Sequence, residues 1–427
     1  MIIFVVGVYL LLVILIGILG HRFFRGTGED YFVASRSIGP FVLLMTLLGT
    51  NLTAFTMLGA SGEAYRRGIV VFGLMGSSSS ILIPFLFYYL GTRCWWLGKK
   101  FGYVTQIQLI RDRYGSGGMR STSWANTFQT TVFIVVGAVA YFVIMDHYGG
   151  VGQAMERLRQ TNRELVVFGN DRFTTLQMFS YLLLPICAAA FPHIYSHWLS
   201  AKTARSFKIP IVFYPLCIAA VWVPSVTLGV IGRIDFATPL NGPILVELIL
   251  ANTDGVLAGC LAAGVFAAIM SSLDSQILSL GAMFTEDIVR FYGFDNQLSE
   301  RQQILFGRIF VMAFLIIAFV ASLFTSRSIF ELGIWSLTGF SGLLPVFIGA
   351  LYWRRSTKQG ATAAIVTVVV LWIFFYIHSL ASHGHYTLGA TGLMPVAVIV
   401  PASTLMLVLV SLTTSPPGDT DRFFPAK

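Results

Sequence analysis

"GTNLTAFTMLG", residues 49–59, lies inside a run apolar enough to cross a membrane, yet it places Thr50, Asn51, Thr53 and Thr56 within seven residues. It also begins and ends with glycine, which weakens a helix by about 1 kcal/mol relative to alanine. In hydrocarbon an unpaired backbone group costs several kcal/mol, so a loosened helix survives there only where protein or a water-filled cavity covers it. The stretch predicts a membrane protein in which a broken helix lines a cavity.

Composition agrees. The 427-residue chain is 56% hydrophobic and 11% charged, with a mean hydropathy of +0.77; soluble domains carry about 25% charged residues. The 41 glycines suit membrane helices that approach closely. The net charge of +9 does not point to nucleic acid. The basic residues cluster at span ends, where they set orientation. The natural surroundings are a lipid bilayer, and a plasma membrane is expected.

Eleven spans are expected, near 1–20, 40–62, 69–96, 122–146, 174–196, 209–232, 256–284, 306–324, 328–353, 360–380 and 391–413. The first run has no basic leader and no small-residue cleavage site, and "HRFFR" follows it, so it is an uncleaved helix with its N-terminus outside. That orientation leaves 20 of the 28 Lys and Arg inside. Outside are Arg66, Arg67, Arg157, Arg159, Arg163, Arg172, Arg233 and Arg327. It also puts the C-terminus in the cytoplasm. The chain is a single transmembrane domain: a peripheral helix (1–20), a core (40–353), two further helices (360–413) and a tail (414–427).

Cys94, Cys187, Cys217 and Cys260 form no CxxC pair, so neither a disulfide framework nor a metal site is expected. His383 and His385 are two loop histidines without further ligands. No other cofactor is expected.

Four polar or proline clusters are expected to interrupt spans: "GTNLTAFT", "GSSSS" (76–80), "AAAFPHIYSH" (188–197) and "MSSLDSQ" (270–276). Interrupted helices in transporters offer carbonyls to ions and helix ends to solutes. In 267–276, Ala268, Ser271, Asp274 and Ser275 share a helical face, with Ser272 beside it. Hydroxyl, carboxylate and carbonyl oxygens suit a hard cation such as sodium. Together with carbonyls from 49–53 they supply about five oxygens, a set of the kind hard ions take. Asp274 is the only acid expected near mid-membrane, where an ionisable group marks function by default.

At these residues the chain resembles the sodium:solute symporter family. The resemblance runs through 30–69, "GGMRSTSWANTFQ" (117–129), "FPHIYSHWLSAKTA" (191–204), "AAIMSSLDSQILSLGAMFTEDI" (267–288) and "LYWRRSTKQGATAA" (351–364). It implies an all-α, leucine-transporter-like inverted-repeat fold with a peripheral first helix. It implies sodium as the coupling ion, held by the carbonyls of Gly49, Leu52 and Ala268 and the hydroxyls of Ser271 and Ser272. It places a small polar organic solute against Asn51, Thr53, Phe55, Thr56, Phe191 and His193, imported by alternating access.

Two departures stand out. Where the family often has an acid in "WTD", this chain has Asn126 in "WAN". Asp274 stands where sodium–sugar relatives are neutral. The pair, with Ser275, is expected to serve a second cation or a proton. Secondly, "LIRDRYGS" (109–116) and "GGMRSTSW" (117–124) abut, although the family places its third and fourth core helices between such segments. Two spans with connections amount to roughly 50–60 residues. The alternatives to a symporter are therefore a non-transporting truncated relative and a sensory membrane module acting through a partner. With no G-x-S-x-G, H-E-x-x-H or P-loop, neither an enzyme nor a nucleotide-driven pump is expected.

Overall fold

The computed structural model describes residues 1–21, 36–103, 105–114, 141–167, 173–236, 242–253, 255–284, 289, 300–324, 328–381, 386–388, 391–415, 418 and 420–424. These residues are helical almost throughout, with one isolated bridge between Ile38 and Ala201. In chain order the helices are α1 (Ile2–His21), α2 (Pro40–Asn51), α3 (Phe55–Arg67), α4 (Phe72–Phe101) and α5 (Gln106–Tyr114). Then come α6 (Val151–Thr161), α7 (Thr175–Ala190), α8 (Pro192–Ser200), α9 (Lys208–Ile231) and α10 (Ile244–Asn252). The last are α11 (Gly255–Met283), α12 (Glu300–Leu323), α13 (Ile329–Tyr352), α14 (Lys358–Ala381) and α15 (Val396–Thr413).

Among the described residues seven helices are long and apolar enough to span a membrane, and the bent pairs α2–α3 and α7–α8 bring the number to nine. With α1 they match ten of the eleven expected spans. The eleventh, 122–146, lies outside the described residues except for its end.

Two of the four expected interruptions are real. The axes of α2 and α3 meet at 57°, those of α7 and α8 at 54°. The second break follows from one dipeptide. Pro192 disfavours helical geometry at the residue before it, and Phe191 is extended (φ −74°, ψ 123°) while Pro192 opens α8. The first break has no proline. Leu52 is extended (φ −85°, ψ 94°), and the Thr53 hydroxyl accepts the Phe55 N–H at 3.1 Å, capping the incoming helix.

The other two expected interruptions are corrected. At "GSSSS" the helix continues, because Ser77, Ser78 and Ser80 donate to carbonyls three or four residues back. At "MSSLDSQ" α11 runs unbroken through 29 residues, with Ser272 and Ser275 bonded to the preceding turn in the same way. Back-bonded hydroxyls satisfy themselves without opening a helix.

Packing ranks the spans by depth. Leu43, Leu47 and Leu48 of α2 and Ile194, Tyr195, Trp198 and Leu199 of α8 are completely buried, so the broken helices form the centre. α9 packs on α2, α3 and α4, and it approaches closely at Gly229, where a Cβ would stand 2.1 Å from the Ser61 carbonyl oxygen. α13 packs on the end of α7, and α14 and α15 cover its far side. α1 lies along α11. In α12 only 6% of the apolar window is buried, against 67% for α13, which places α12 at the periphery.

Candidate functional site

The centre of the fold is a polar knot between three helices. Thr50 Oγ1, in the last turn of α2, lies 3.0 Å from His197 Nε2 on α8 and 2.9 Å from Ser275 Oγ on α11. His197 Nε2 and Ser275 Oγ are 3.4 Å apart. All three residues are at most 2% exposed. Buried polar groups are costly unless bonded, so this arrangement fixes where both broken helices cross α11. One residue further on, the Asn51 amide donates to the Tyr214 hydroxyl of α9.

The expected ion ligands stand beside the knot. Ser271 is one turn before Ser275 on the same face of α11, and its Oγ is completely buried with no hydrogen-bond partner. Ser272 donates its proton to the Ile269 carbonyl at 3.0 Å, which leaves its oxygen lone pairs available. Ala268 is buried one turn before Ser272. On α2 the helix stops at Asn51, so the Gly49 carbonyl loses its i+4 partner, and the Leu52 carbonyl lies in the extended link. A cluster of oxygen acceptors with one orphaned hydroxyl and no carboxylate fits a monovalent hard cation better than a divalent one.

Asp274 is elsewhere. It is exposed, does not line the cavity, and lies on the flank towards α1, within electrostatic reach of Tyr9. Adjacent residues on a helix are separated by about 100°, and that turn takes Asp274 away from Ser275. The structure therefore does not bring Asp274 together with Ser271 and Ser275 in one site. Asn126, His383 and His385 lie outside the described residues. Among the described residues no group of three His, Cys, Asp or Glu side chains could hold a metal ion, and the four cysteines are free.

Next to the knot is a cavity of about 520 Å³. Asn51, Thr53, Phe55, Thr56, Phe191 and His193, the six residues expected to meet the solute, all line it. Phe191 stacks on His193 with ring centres 4.9 Å apart and meets Phe340 of α13 edge-on. Phe55 stacks on Phe330 at 4.9 Å and meets Trp222 edge-on at 6.2 Å. Gly333 makes room for it: a Cβ there would stand 2.2 Å from the Phe55 ring. The wall is thus aromatic and apolar, with neutral polar groups placed among it, including Ser79, Gln276 and Ser336. Such a lining suits a small organic solute held by a few hydrogen bonds.

Beyond the Phe55–Phe330 stack a smaller chamber of about 250 Å³ is lined by Glu63, Arg67, Gln177, Tyr181 and Glu331 among others. Glu63 is bound by Arg66 at 2.8 Å and Arg67 at 2.6 Å. Phe330 lines the chamber on one side and stacks on Phe55, which lines the cavity, on the other.

Sequence reasoning missed His197, Tyr214 and the role of Thr50. His197 was within reach: it stands four residues after His193 on α8 and shares its face. Tyr214 carried no local signal, since its partner Asn51 is 163 residues away.

The same architecture occurs in known proteins. A Na+-coupled sialic acid symporter, solved in a substrate-bound outward-open state, superposes with a TM-score of 0.76 over 97% of this chain and 98% of that one, at 14% identity. That likeness shows the leucine-transporter-like fold. In sequence, the osmoregulated proline transporter OpuE of Bacillus subtilis is 23% identical over 434 residues, covering 86% of this chain and 87% of its own. The sodium/proline symporter of Staphylococcus aureus (strain bovine RF122 / ET3-1) is 23% identical over 482 residues, covering 97% and 93%. That of Escherichia coli (strain K12) is 21% identical over 454 residues, covering 86% of each. The family model for sodium:solute symporters matches residues 31–116 and 116–368. That is most of the chain, and with the broken central helices and the oxygen cluster beside the cavity it establishes that the chain belongs to the sodium:solute symporter family.

Proposed function

We propose that this symporter takes up sodium at the carbonyls of Gly49, Leu52 and Ala268 and the hydroxyls of Ser271 and Ser272, and imports a small polar organic solute through the adjoining cavity. The chain is a sodium-coupled membrane symporter and not an enzyme. The observation that carries the site is Ser271 Oγ, fully buried and unpartnered between Ser272 and Ser275, whose hydroxyls are bonded; Ser279 Oγ, two turns further on, is the other unpartnered hydroxyl of the helix among the described residues. Ions and solute are coupled because one break serves both. The α2–α3 link carries ion-facing carbonyls at 49 and 52 and cavity-lining side chains at 51 and 53. A cation that holds this link in its unwound shape also sets the solute contacts.

Proline is the first solute to test, because relatives bear that name. An N-terminus outside and a cytoplasmic C-terminus are supported by the lysine and arginine distribution, and by the meeting of Arg36, Lys100, Arg113, Arg354 and Arg422 around one end of the helices. Asp274, set beside α1, is a lateral proton or cation group rather than a ligand of the Ser271 cluster.

A truncated scaffold remains part of the proposal. The family match comes in two pieces that meet at Ser116. The alignment to the Staphylococcus relative runs over 482 residues, more than the 427 of this chain, so that relative carries residues with no counterpart in it. Both support the loss of two core helices between Ser116 and Gly117.

The test is sodium-dependent thermal stabilisation of the purified protein against a potassium control. Binding to the folded state alone raises stability by mass action. A sodium-specific shift, abolished by Ser271→Ala with Ser272→Ala, is expected. No shift in a folded sample would overturn the site.

A further inference from the structure

After α15 the chain turns back to the helix ends, and residues 421–424 are seated there. Phe423 is 1% exposed, and its ring lies 5.4 Å from Phe101 at the end of α4. Phe424 is buried between two guanidinium groups, Arg93 at 5.5 Å and Arg354 at 4.9 Å from its ring centre. Arg93 donates to the Phe423 carbonyl at 3.1 Å, and Lys100 donates to the Arg422 carbonyl at 2.7 Å. Arg422 stacks over Phe423 and donates to the Asp112 carbonyl, and Asp421 pairs with Arg354.

Every one of these four residues is therefore held, by partners distant in sequence. Arg93, Lys100 and Phe101 belong to the end of α4, whereas Arg354 follows α13. The two ends are also joined directly, since Tyr352 donates to the Tyr89 carbonyl at 2.7 Å and Arg93 lies over the Tyr352 ring at 5.4 Å. α4 packs on the broken helix α8, and α13 lines the cavity. For the cavity to open towards this end, the ends of α4 and α13 must part.

We infer that residues 421–424 form an intramolecular plug, which fastens the basic end of α4 to that of α13 and keeps this side closed until it is released. The inference rests on the alternating-access reading, but its test does not need the solute. Cys94, fully buried in α4 beside Arg93, reports opening at this end. With Cys187→Ser, Cys217→Ser and Cys260→Ser, it is the one thiol left.

The experiment compares the maleimide reaction rate of Cys94 in that background with and without Phe423→Ser plus Phe424→Ser. Ending the chain after Thr420 provides a second route to the same loss. Removing two buried aromatic anchors from a two-state closure should speed labelling by about tenfold or more. The sodium concentration giving half of the thermal shift should rise severalfold, with the full shift unchanged, because sodium then has to close an opened population. A purely local role for the tail would leave that midpoint where it was. Equal labelling rates in parent and both variants would overturn the plug, whatever sodium does. Faster labelling in the variants, in a protein whose parent shows no sodium shift, would keep the plug and overturn the sodium site.

Discussion

At the scale of single residues the buried hydroxyls divide into two kinds. Thr50 and Ser275 are bonded within the knot, so removing either takes one buried hydrogen bond from His197. Breaking a buried hydrogen bond in this way costs about 1–3 kcal/mol. Thr50→Ala and His197→Ala should each lower stability in potassium by that order, read as a lower unfolding midpoint. Ser271 Oγ has no protein partner to lose. Ser271→Ala should leave stability in potassium within about 0.5 kcal/mol and yet remove most of the stabilisation by sodium. Thermal unfolding in the two salts separates the cases; equal damage in both would make Ser271 a packing residue. Asp274→Asn, off the cavity, should keep the sodium shift intact. If it abolished the shift, Asp274 would belong with the serines after all.

At the scale of elements the glycines of the core set how close helices come. Gly229→Ala would drive a methyl group into the Ser61 backbone, which cannot rotate away, and overpacking of this sort costs about 1–3 kcal/mol or more. At Gly333 the nearest atoms a new methyl group would meet belong to the Phe55 ring, which can turn. Gly333→Ala should change solute affinity while sparing the sodium shift; an unaltered solute affinity would show that Phe55 does not shape the site. The spans and the break at Phe191 were legible in sequence, because apolar length and an X-Pro pair act locally. The serine clusters were not, since a hydroxyl that bonds its own helix is written in the same letters as one that breaks it. The Thr50–His197–Ser275 knot joins positions up to 225 residues apart and has no local signature. The same holds for the docking of Phe423 on α4, which unites a tail of ordinary composition with a distant helix end.

At the scale of the whole molecule the question is whether the site and the scaffold can be separated. The oxygen cluster and the cavity are built from α2, α3, α4, α7, α8, α9, α11 and α13, closely packed, with Phe314, Leu315 and Ala318 of α12 closing one side of the cavity. α12 has almost no protein cover elsewhere along its length. Binding should therefore be local to what the chain retains, and sodium and solute should help each other by one shared factor, typically roughly 5–150-fold, because linkage in binding is reciprocal. Titrating proline at low and high sodium, and sodium with and without proline, measures that factor in both directions. Rocking of the central helices needs something rigid to move against, and the expected missing pair is part of that support. Inserting the corresponding two-helix segment of a sodium/proline relative between Ser116 and Gly117 should leave the coupling factor nearly unchanged and increase uptake into proteoliposomes. If the native chain already transports as fast as the chimera, the spans it has suffice for the cycle and the scaffold reading fails. If the insertion instead changes the binding factor, the two helices shape the site itself, and the division between site and scaffold is wrong.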